Sequence, residues 1–134
     1  MGGLPAAPGP DEVQQRLADL EALLQDESLP GFVVACILHG EILAMRPFVI
    51  GNGLIARALF RIHMVSSGVD VTGVAVPEAA LLSDAAGYGE AGAAYTSGRD
   101  VIGWITMNAE AVEKGVGEGV QICQSVQAGR IPRT

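Results

Sequence analysis

The residues best suited to chemistry lie in the glycine-punctuated segment 46–57. Gly51 and Gly53 flank Asn52, so the backbone can adopt positive φ here and approach a ligand without interference from a Cβ atom. A helix predicted over Leu54–Val65 begins directly after this turn, and its first N–H groups and the positive end of its dipole point at whatever lies in front. These features predict an anion-binding site. Its residues are Gly51, Asn52, Gly53, Arg46 and Arg57.

The composition is that of an acidic, globular chain. Its 134 residues carry 15 Asp and Glu against 8 Lys and Arg, a net charge of −7, and 49% of them are apolar. A chain of this length forms one domain and buries roughly 68% of its unfolded surface. The negative charge and the 4% aromatic content argue against a nucleic-acid partner, because such surfaces need clustered cations or stacking rings. Arg46, Arg57 and Arg61 nevertheless concentrate positive charge beside the glycine turn.

The sequence predicts no metal centre, membrane span or secretion signal. Cys36 and Cys123 lie in apolar runs without the spacing of metal ligands. The longest apolar run, Phe32–Leu38, is too short to cross a bilayer, and no basic segment precedes an apolar stretch at the N-terminus. We therefore expect a cytoplasmic protein with two buried thiols and no membrane partner.

The first half of the chain predicts three helices. The first begins near Asp11 and has apolar residues at helical spacing, namely Val13, Leu17, Leu20 and Leu24. The second runs from Pro30 or Gly31 to Met45, is apolar nearly all round and should be central. Pro47 ends it, because a residue before proline is disfavoured in the α region. The third is the helix after the glycine turn.

The second half is less regular. Segment 69–76 fits either a short strand or an extended connection, and a weak Ala- and Gly-rich helix follows over Asp84–Thr96. A last helix is predicted from Asp100 to about Gln127, with an apolar face of Val101, Ile105, Val112, Val116, Val120 and Cys123. Its glycines at 115, 117 and 119 each weaken it by about 1 kcal/mol relative to Ala, so we expect it to bend or fray there. The fold class is all-α, with tails at 1–10 and 129–134 around a domain at 11–128.

Segment 46–57 also resembles the signature of Fic (Fido, or Fic/Doc) proteins, His-x-Phe-x-Asp/Glu-Gly-Asn-Gly-Arg-x-x-Arg. The flanking Leu29-Pro30-Gly31-Phe32 and His39 follow the family's order, so the resemblance spans about Asp11 to Gly119. It implies an all-helical core whose Gly-Asn-Gly turn holds the phosphates of a nucleotide. It also implies nucleotidyl transfer, usually of AMP from ATP to a hydroxyl of a target protein.

Three departures from this signature remove chemical groups. Arg46 occupies the position of the catalytic histidine, and an arginine cannot act as a general base. Ile50 replaces the acidic residue that holds Mg²⁺, and Leu54 replaces the first phosphate-binding arginine. Only about 28 residues precede Leu29, which leaves no room for the family's β-hairpin flap and predicts a shortened domain. The resemblance therefore implies binding of ATP or another nucleotide by Gly51, Asn52, Gly53, Arg57 and Arg46. It implies no magnesium site, no assigned catalytic residue, and little or no AMP transfer.

Three alternatives remain open at this point. The protein is an active but altered adenylyltransferase, or a non-catalytic scaffold that binds a protein partner or a second copy of itself. In the third alternative the segment is part of a βαβ dinucleotide-binding unit. Its strand would be Phe48–Ile50, followed by the glycine turn, and Asp70, about 20 residues on, would bind the ribose.

Overall fold

The computed structural model of the protein describes residues 4–130, and this part of the chain contains six helices and no strand. The helices are α1 Pro10–Gln25, α2 Gly31–Met45, α3 Asn52–Ser66, α4 Pro77–Ser83, α5 Ala85–Thr96 and α6 Val101–Gln127. The predicted all-α class is confirmed. The predicted tails fall partly on residues 1–3 and 131–134, which lie outside the described residues. None of the described helices combines the length and apolar character needed to cross a membrane.

The dinucleotide-binding alternative is wrong, because it requires parallel strands around the glycine turn. Residues 48–50 form a bend, and 69–76 is a run of turns followed by an extended connection. Asp70, the candidate ribose ligand, shapes this connection instead: its carboxylate accepts hydrogen bonds from the Val74 N–H at 3.3 Å and the Ala75 N–H at 3.1 Å. The choice left open for 69–76 is therefore settled in favour of a connection.

α2 is the central helix, as its apolar sequence predicts. Its buried residues are Val34, Ala35, Cys36, Leu38, His39, Gly40, Ile42, Ala44 and Met45. One core cluster joins α2 to Leu20 of α1 and Ala56 of α3, and a second joins it to Phe60 of α3 and Trp104 of α6. Each large apolar side chain buried in this way stabilises the fold by roughly 1.5–3 kcal/mol. The other helices are thus arranged around α2.

α1 is held to α2 by an ion pair as well as by apolar contact. Of its predicted apolar stripe only Leu20 is buried, while Leu17 and Leu24 are 41% and 42% exposed. Arg16 reaches across to α2, where its Nη2 lies 2.8 Å from Glu41 Oε2 and its Nε–H donates to the same oxygen at 2.9 Å. Two donors of one guanidinium thus converge on a single carboxylate oxygen, a charge-assisted contact between α1 and α2.

The buried face of α6 is shifted from the one that its apolar residues predict, because Ile105 and Val112 pack against the core but are only partly buried. The buried residues are Trp104, Asn108, Ala111, Gly115 and Gly119. Val101, Val116 and Val120 are more than 40% exposed, and Cys123, predicted to be a buried thiol, is exposed. The packing partners of α6, rather than its hydropathy, determine which face is buried. Gly115 and Gly119 are buried because they let the backbone of residues 74–76 come close.

The glycines of α6 serve this close approach. The predicted fraying is wrong, because α6 is one continuous helix over Val101–Gln127. A Cβ at Gly115 would lie 2.6 Å from the Val76 carbonyl carbon, and one at Gly119 would overlap the Val74 carbonyl oxygen. The Val76 N–H donates to the Gly115 carbonyl at 3.0 Å. The connection between α3 and α4 therefore lies directly on α6.

Two alanine substitutions in α6 should have opposite effects on stability. Gly119→Ala adds a methyl group where the Val74 carbonyl lies, and overpacking of this kind costs about 1–3 kcal/mol, more than the helix propensity gained. Gly117→Ala meets nothing within 4 Å and should stabilise by about 1 kcal/mol. Urea unfolding of both variants measures the difference. Equal stabilisation of the two would show that the connection does not lie against α6.

Candidate functional site

The loop between α2 and α3 is shaped at its start by Arg46 and Pro47. α2 ends at Met45, and Arg46 adopts a left-handed conformation with φ 48° and ψ 57° while its N–H donates to the Ile42 carbonyl at 3.0 Å. Pro47 disfavours a further helical residue before it. The predicted end of α2 is confirmed, and the left-handed residue redirects the chain outward into the exposed bend at residues 48–50.

Asn52 closes the loop with its side chain. Its Oδ1 accepts from the Phe48 N–H at 2.9 Å, and its Nδ2 donates to the Phe48 carbonyl at 2.8 Å. Gly51, with φ 82°, supplies the left-handed turn that leads into α3 and is exposed. Asn52 therefore fixes the shape of the turn, and the groups it leaves for a ligand are backbone amides.

The first turn of α3 presents these amides. The Ile55 N–H donates to the Gly51 carbonyl at 3.0 Å and is the first helical hydrogen bond. The N–H groups of residues 52–54 therefore have no acceptor within the helix, and the helix dipole adds partial positive charge at the same point. Such an N-terminus is suited to an anion.

Arg57 adds a full positive charge to this end of α3. A Cβ at Gly53 would lie only 3.2 Å from Arg57 Nη1, so the guanidinium folds back along the helix over Gly53. Side chains of a helix lean toward its N-terminus, which makes positions i and i+4 neighbours. The structure thus brings Gly51, Asn52, Gly53 and Arg57 together.

The other signature positions lie differently. The Arg46 guanidinium donates through Nη2 to the Pro5 carbonyl and so contacts the segment that precedes α1. Ile50 is 86% exposed and Leu54 is 68% exposed, and neither offers an oxygen. No group of three or more His, Cys, Asp and Glu side chains able to hold a metal occurs within residues 4–130. The Mg²⁺ ion implied by the family resemblance therefore does not fit this loop.

A series of hydrogen bonds among buried polar side chains of α2, α5 and α6 was not predicted from the sequence. His39 Nδ1 lies 2.9 Å from Asn108 Oδ1, and His39 Nε2 lies 2.6 Å from the Tyr88 hydroxyl. Asn108 Nδ2 donates to the Trp104 carbonyl at 2.9 Å. His39 and Asn108 have no exposed surface. The sequence offers one signal for these hydrogen bonds, which is an asparagine within the apolar face of α6.

Burial and the neighbouring charge keep His39 neutral. Desolvation lowers its pKa to about 4, the hydrogen bond to Asn108 opposes this shift, and the charge of Arg57 lowers the pKa further. Burial raises the pKa of Tyr88, against the lowering effects of a hydrogen bond from Arg57 and of its charge. Burial is the largest cause of the pKa shift of both residues.

His63 and Tyr95 are two further polar side chains, and the contacts of both lie away from the loop. His63 lines a groove of about 540 Å³ at the C-terminal end of α3, together with the ends of α1 and α2. The Tyr95 hydroxyl donates to Glu41 Oε1 at 3.0 Å and supports the ion pair with Arg16. Neither residue contacts the loop through these interactions.

The buried His39 should make stability depend on pH. Between pH 6.5 and about 5 the unfolded chain takes up a proton on this residue, whereas the folded protein does so only near pH 4, so the free energy of unfolding should fall by on the order of 1–2 kcal/mol as the pH drops through this window. Urea unfolding measures the change. His39→Gln should abolish it and His63→Gln should keep most of it. A flat wild-type profile would contradict the neutral, buried state of His39.

A comparison with known families agrees with this geometry. Residues 2–64, a stretch that contains α1, α2 and nearly all of α3, match the model of the Fic/DOC family. No curated protein and no solved structure matches the chain. The segment that builds the loop and its flanking helices is thus similar to the Fic/DOC family.

Proposed function

We propose that the protein binds the phosphate groups of a nucleotide at the N-terminus of α3, without Mg²⁺, and transfers AMP weakly or not at all. The observation that carries this proposal is the convergence of the amides of residues 52–54 with the guanidinium of Arg57. Backbone amides at a helix N-terminus and an arginine fork are the two groups that proteins use most directly for phosphate oxygens. The match of residues 2–64 to the Fic/DOC family supports a nucleotide as the source of that phosphate.

The same loop argues against efficient catalysis. Transfer to a hydroxyl needs a group that takes its proton, and Arg46 at the family's histidine position cannot do so. A triphosphate in a family site is also neutralised by a metal, and Ile50 supplies no ligand for a hard cation. Loss of a general base alone lowers a rate by about 10²–10⁴-fold. Binding is therefore the activity that the remaining groups support.

Calorimetry with ATP and ADP tests the binding. We expect affinity in the millimolar range or tighter, unchanged when Mg²⁺ is replaced by EDTA, and competition by sulfate for the same amides. Arg57→Gln should weaken binding by about 10- to 100-fold, because a hydrogen bond to a charged group contributes about 1.5–3 kcal/mol.

Arg61→Gln is the matched control for this measurement. Arg61 lies one turn further along α3, where its Nη1 is 3.4 Å from Glu78 Oε1 and its Nη2 is 3.4 Å from the Gly73 carbonyl. Its removal takes away the same charge but no group at the loop, so affinity should be retained. Equal losses for both variants would indicate a general charge effect, and no binding by the wild-type protein would refute the proposed function.

Restoring the missing groups should restore transfer. Arg46→His with Ile50→Asp places a base and a carboxylate where the family resemblance puts them, and histidine tolerates the left-handed φ of 48° at position 46 better than most residues. We expect labelled AMP from ATP to appear on the variant or on an added protein acceptor, in a Mg²⁺-dependent manner, at least about 10²-fold faster than with the wild type.

Arg46→Gln with Ile50→Asp is the control, because it carries the metal ligand without a base. A double variant with histidine that binds ATP but transfers nothing would show that the loop has lost more than these two groups.

A further inference from the structure

α3 has apolar residues on two opposite faces. The buried ones lie four positions apart and pack in the core clusters around α2, namely Ala56, Phe60 and Met64. A second set repeats at almost the same spacing and is exposed, namely Leu54, Ala58, Ile62 and Val65. Because two positions along a helix correspond to a rotation of about 200°, the second set lies on the side of α3 that points away from the core. This set is the outer face of α3.

The outer face is more apolar than the exposed side of a surface helix usually is. Leu54 is 68% exposed and Ile62 is 61% exposed, at positions where an amphipathic helix normally carries polar residues. The loop before α3 adds three exposed apolar residues, namely Phe48, Val49 and Ile50. An exposed apolar surface that extends over about three turns of helix is typical of an interaction site.

A groove of about 560 Å³ runs along the outer face. Ala58, Ile62 and Val65 of α3 line it together with Glu78 of α4. Glu78 Oε1 lies 3.4 Å from Arg61 Nη1, whereas Glu78 Oε2 is buried and has no hydrogen-bond partner within residues 4–130. Buried polar atoms in native proteins are nearly always hydrogen-bonded. The groove therefore fits an occupant that brings an apolar side chain and a hydrogen-bond donor.

The spacing of the outer face makes it complementary to itself. Leu54 precedes Ala58 by four residues, and Ile62 follows Ala58 by four residues. When two copies of α3 pack antiparallel about a two-fold axis at Ala58, the small alanines meet at the centre and Leu54 of each copy lies opposite Ile62 of the other. Rows of residues four apart are the ridges that interlock in the commonest class of helix packing, and a two-fold interface uses the same patch on both copies.

The charges of the outer face allow two acidic chains to meet there. The chain has a net charge of −7, yet α3 alone among the six described helices contains no Asp or Glu. The two charged residues that line the groove, Arg61 and Glu78, form an ion pair. In the antiparallel arrangement the groove of each copy lies beside the first turn of α3 in the other, where free amides and the helix dipole favour a carboxylate such as Glu78. Charge complementarity thus adds to the match in shape.

We propose that the outer face of α3 binds the outer face of a second copy of this chain, antiparallel and with Leu54 seated in the groove of the other copy. A standard interface takes about 800 Å² from each partner, and burying one large aliphatic side chain removes on the order of 100 Å². The outer face and residues 48–50 together supply roughly half of that area, so the dimer should have micromolar affinity. This inference goes beyond the proposed function and does not depend on nucleotide binding.

Sedimentation in a chloride buffer without nucleotide, phosphate or sulfate tests the pairing. Between about 1 and about 200 µM we expect the wild type to pass from monomer to dimer. Ile62→Gln removes an apolar group from the groove without touching the core, and should raise the dissociation constant at least about 10-fold.

Ile102→Gln is the matched control for the sedimentation measurement. Ile102 is 73% exposed at the start of α6, outside the outer face, so its substitution should leave the dissociation constant within about 2-fold. A wild type that stays monomeric over the whole range, or a dimer that Ile62→Gln weakens no more than Ile102→Gln does, would overturn the proposal.

Cross-linking tests the antiparallel register. In a Cys123→Ser background, which lacks the exposed native thiol, Ala58→Cys should form a disulfide between two copies under mild oxidation, because position 58 meets itself at the two-fold axis. Ile62→Cys is the control: its two thiols are offset along the pair by roughly 12 Å, and Cα atoms more than about 7 Å apart cannot be bridged. Equal cross-linking of the two variants, or none with Ala58→Cys at concentrations where the dimer sediments, would refute this arrangement.

Discussion

His39 imposes the constraint on which the rest of the structure depends. It is a polar ring at the centre of the most buried helix, with Phe60 and Trp104 against its faces at 5.3 Å and 4.7 Å between centroids. A buried polar group without a partner costs about 1–3 kcal/mol, so both ring nitrogens must find partners. They find them on two different helices, Tyr88 of α5 and Asn108 of α6. The requirement therefore fixes the relative positions of three helices.

Other contacts reinforce the same arrangement. The Trp104 indole N–H donates to the Cys36 carbonyl of α2 at 2.8 Å, next to the apolar cluster that α3 completes. Further along the same face of α6, the extended connection after α3 lies against Gly115 and Gly119. α6 is thus tied to α2 by hydrogen bonds and to the connection that follows α3 by backbone contact. The frame that results carries the loop at one end of α3.

The different contacts of three arginine side chains explain how an acidic chain keeps one positively charged site. Arg46 donates to the Pro5 carbonyl, and Arg61 is paired with Glu78 and the Gly73 carbonyl. The Arg57 guanidinium lies beside Gly53 at the amide end of α3, and within residues 4–130 it forms no ion pair with a carboxylate. Placing a charge beside aligned amides raises the local positive potential, which favours an anion there even though the net charge of the chain is −7.

The sequence by itself determined the local features of this protein. The all-α class, the central α2, its end before Pro47 and the glycine turn that opens α3 all follow from helical periodicity, proline and glycine, which act within a few residues. The loss of the base and the metal ligand at Arg46 and Ile50 can also be read from residue types alone.

Only the tertiary structure decided which groups surround that turn. His39 and Asn108 are 69 positions apart, and nothing local distinguishes this asparagine from a surface one. Hydropathy also did not predict the buried face of α6. Part of that face is glycine, which packs against the backbone of residues 74–76, far away in the sequence. Contacts of this kind depend on how helices meet in space, and so the partners of His39 could be found only in the folded chain.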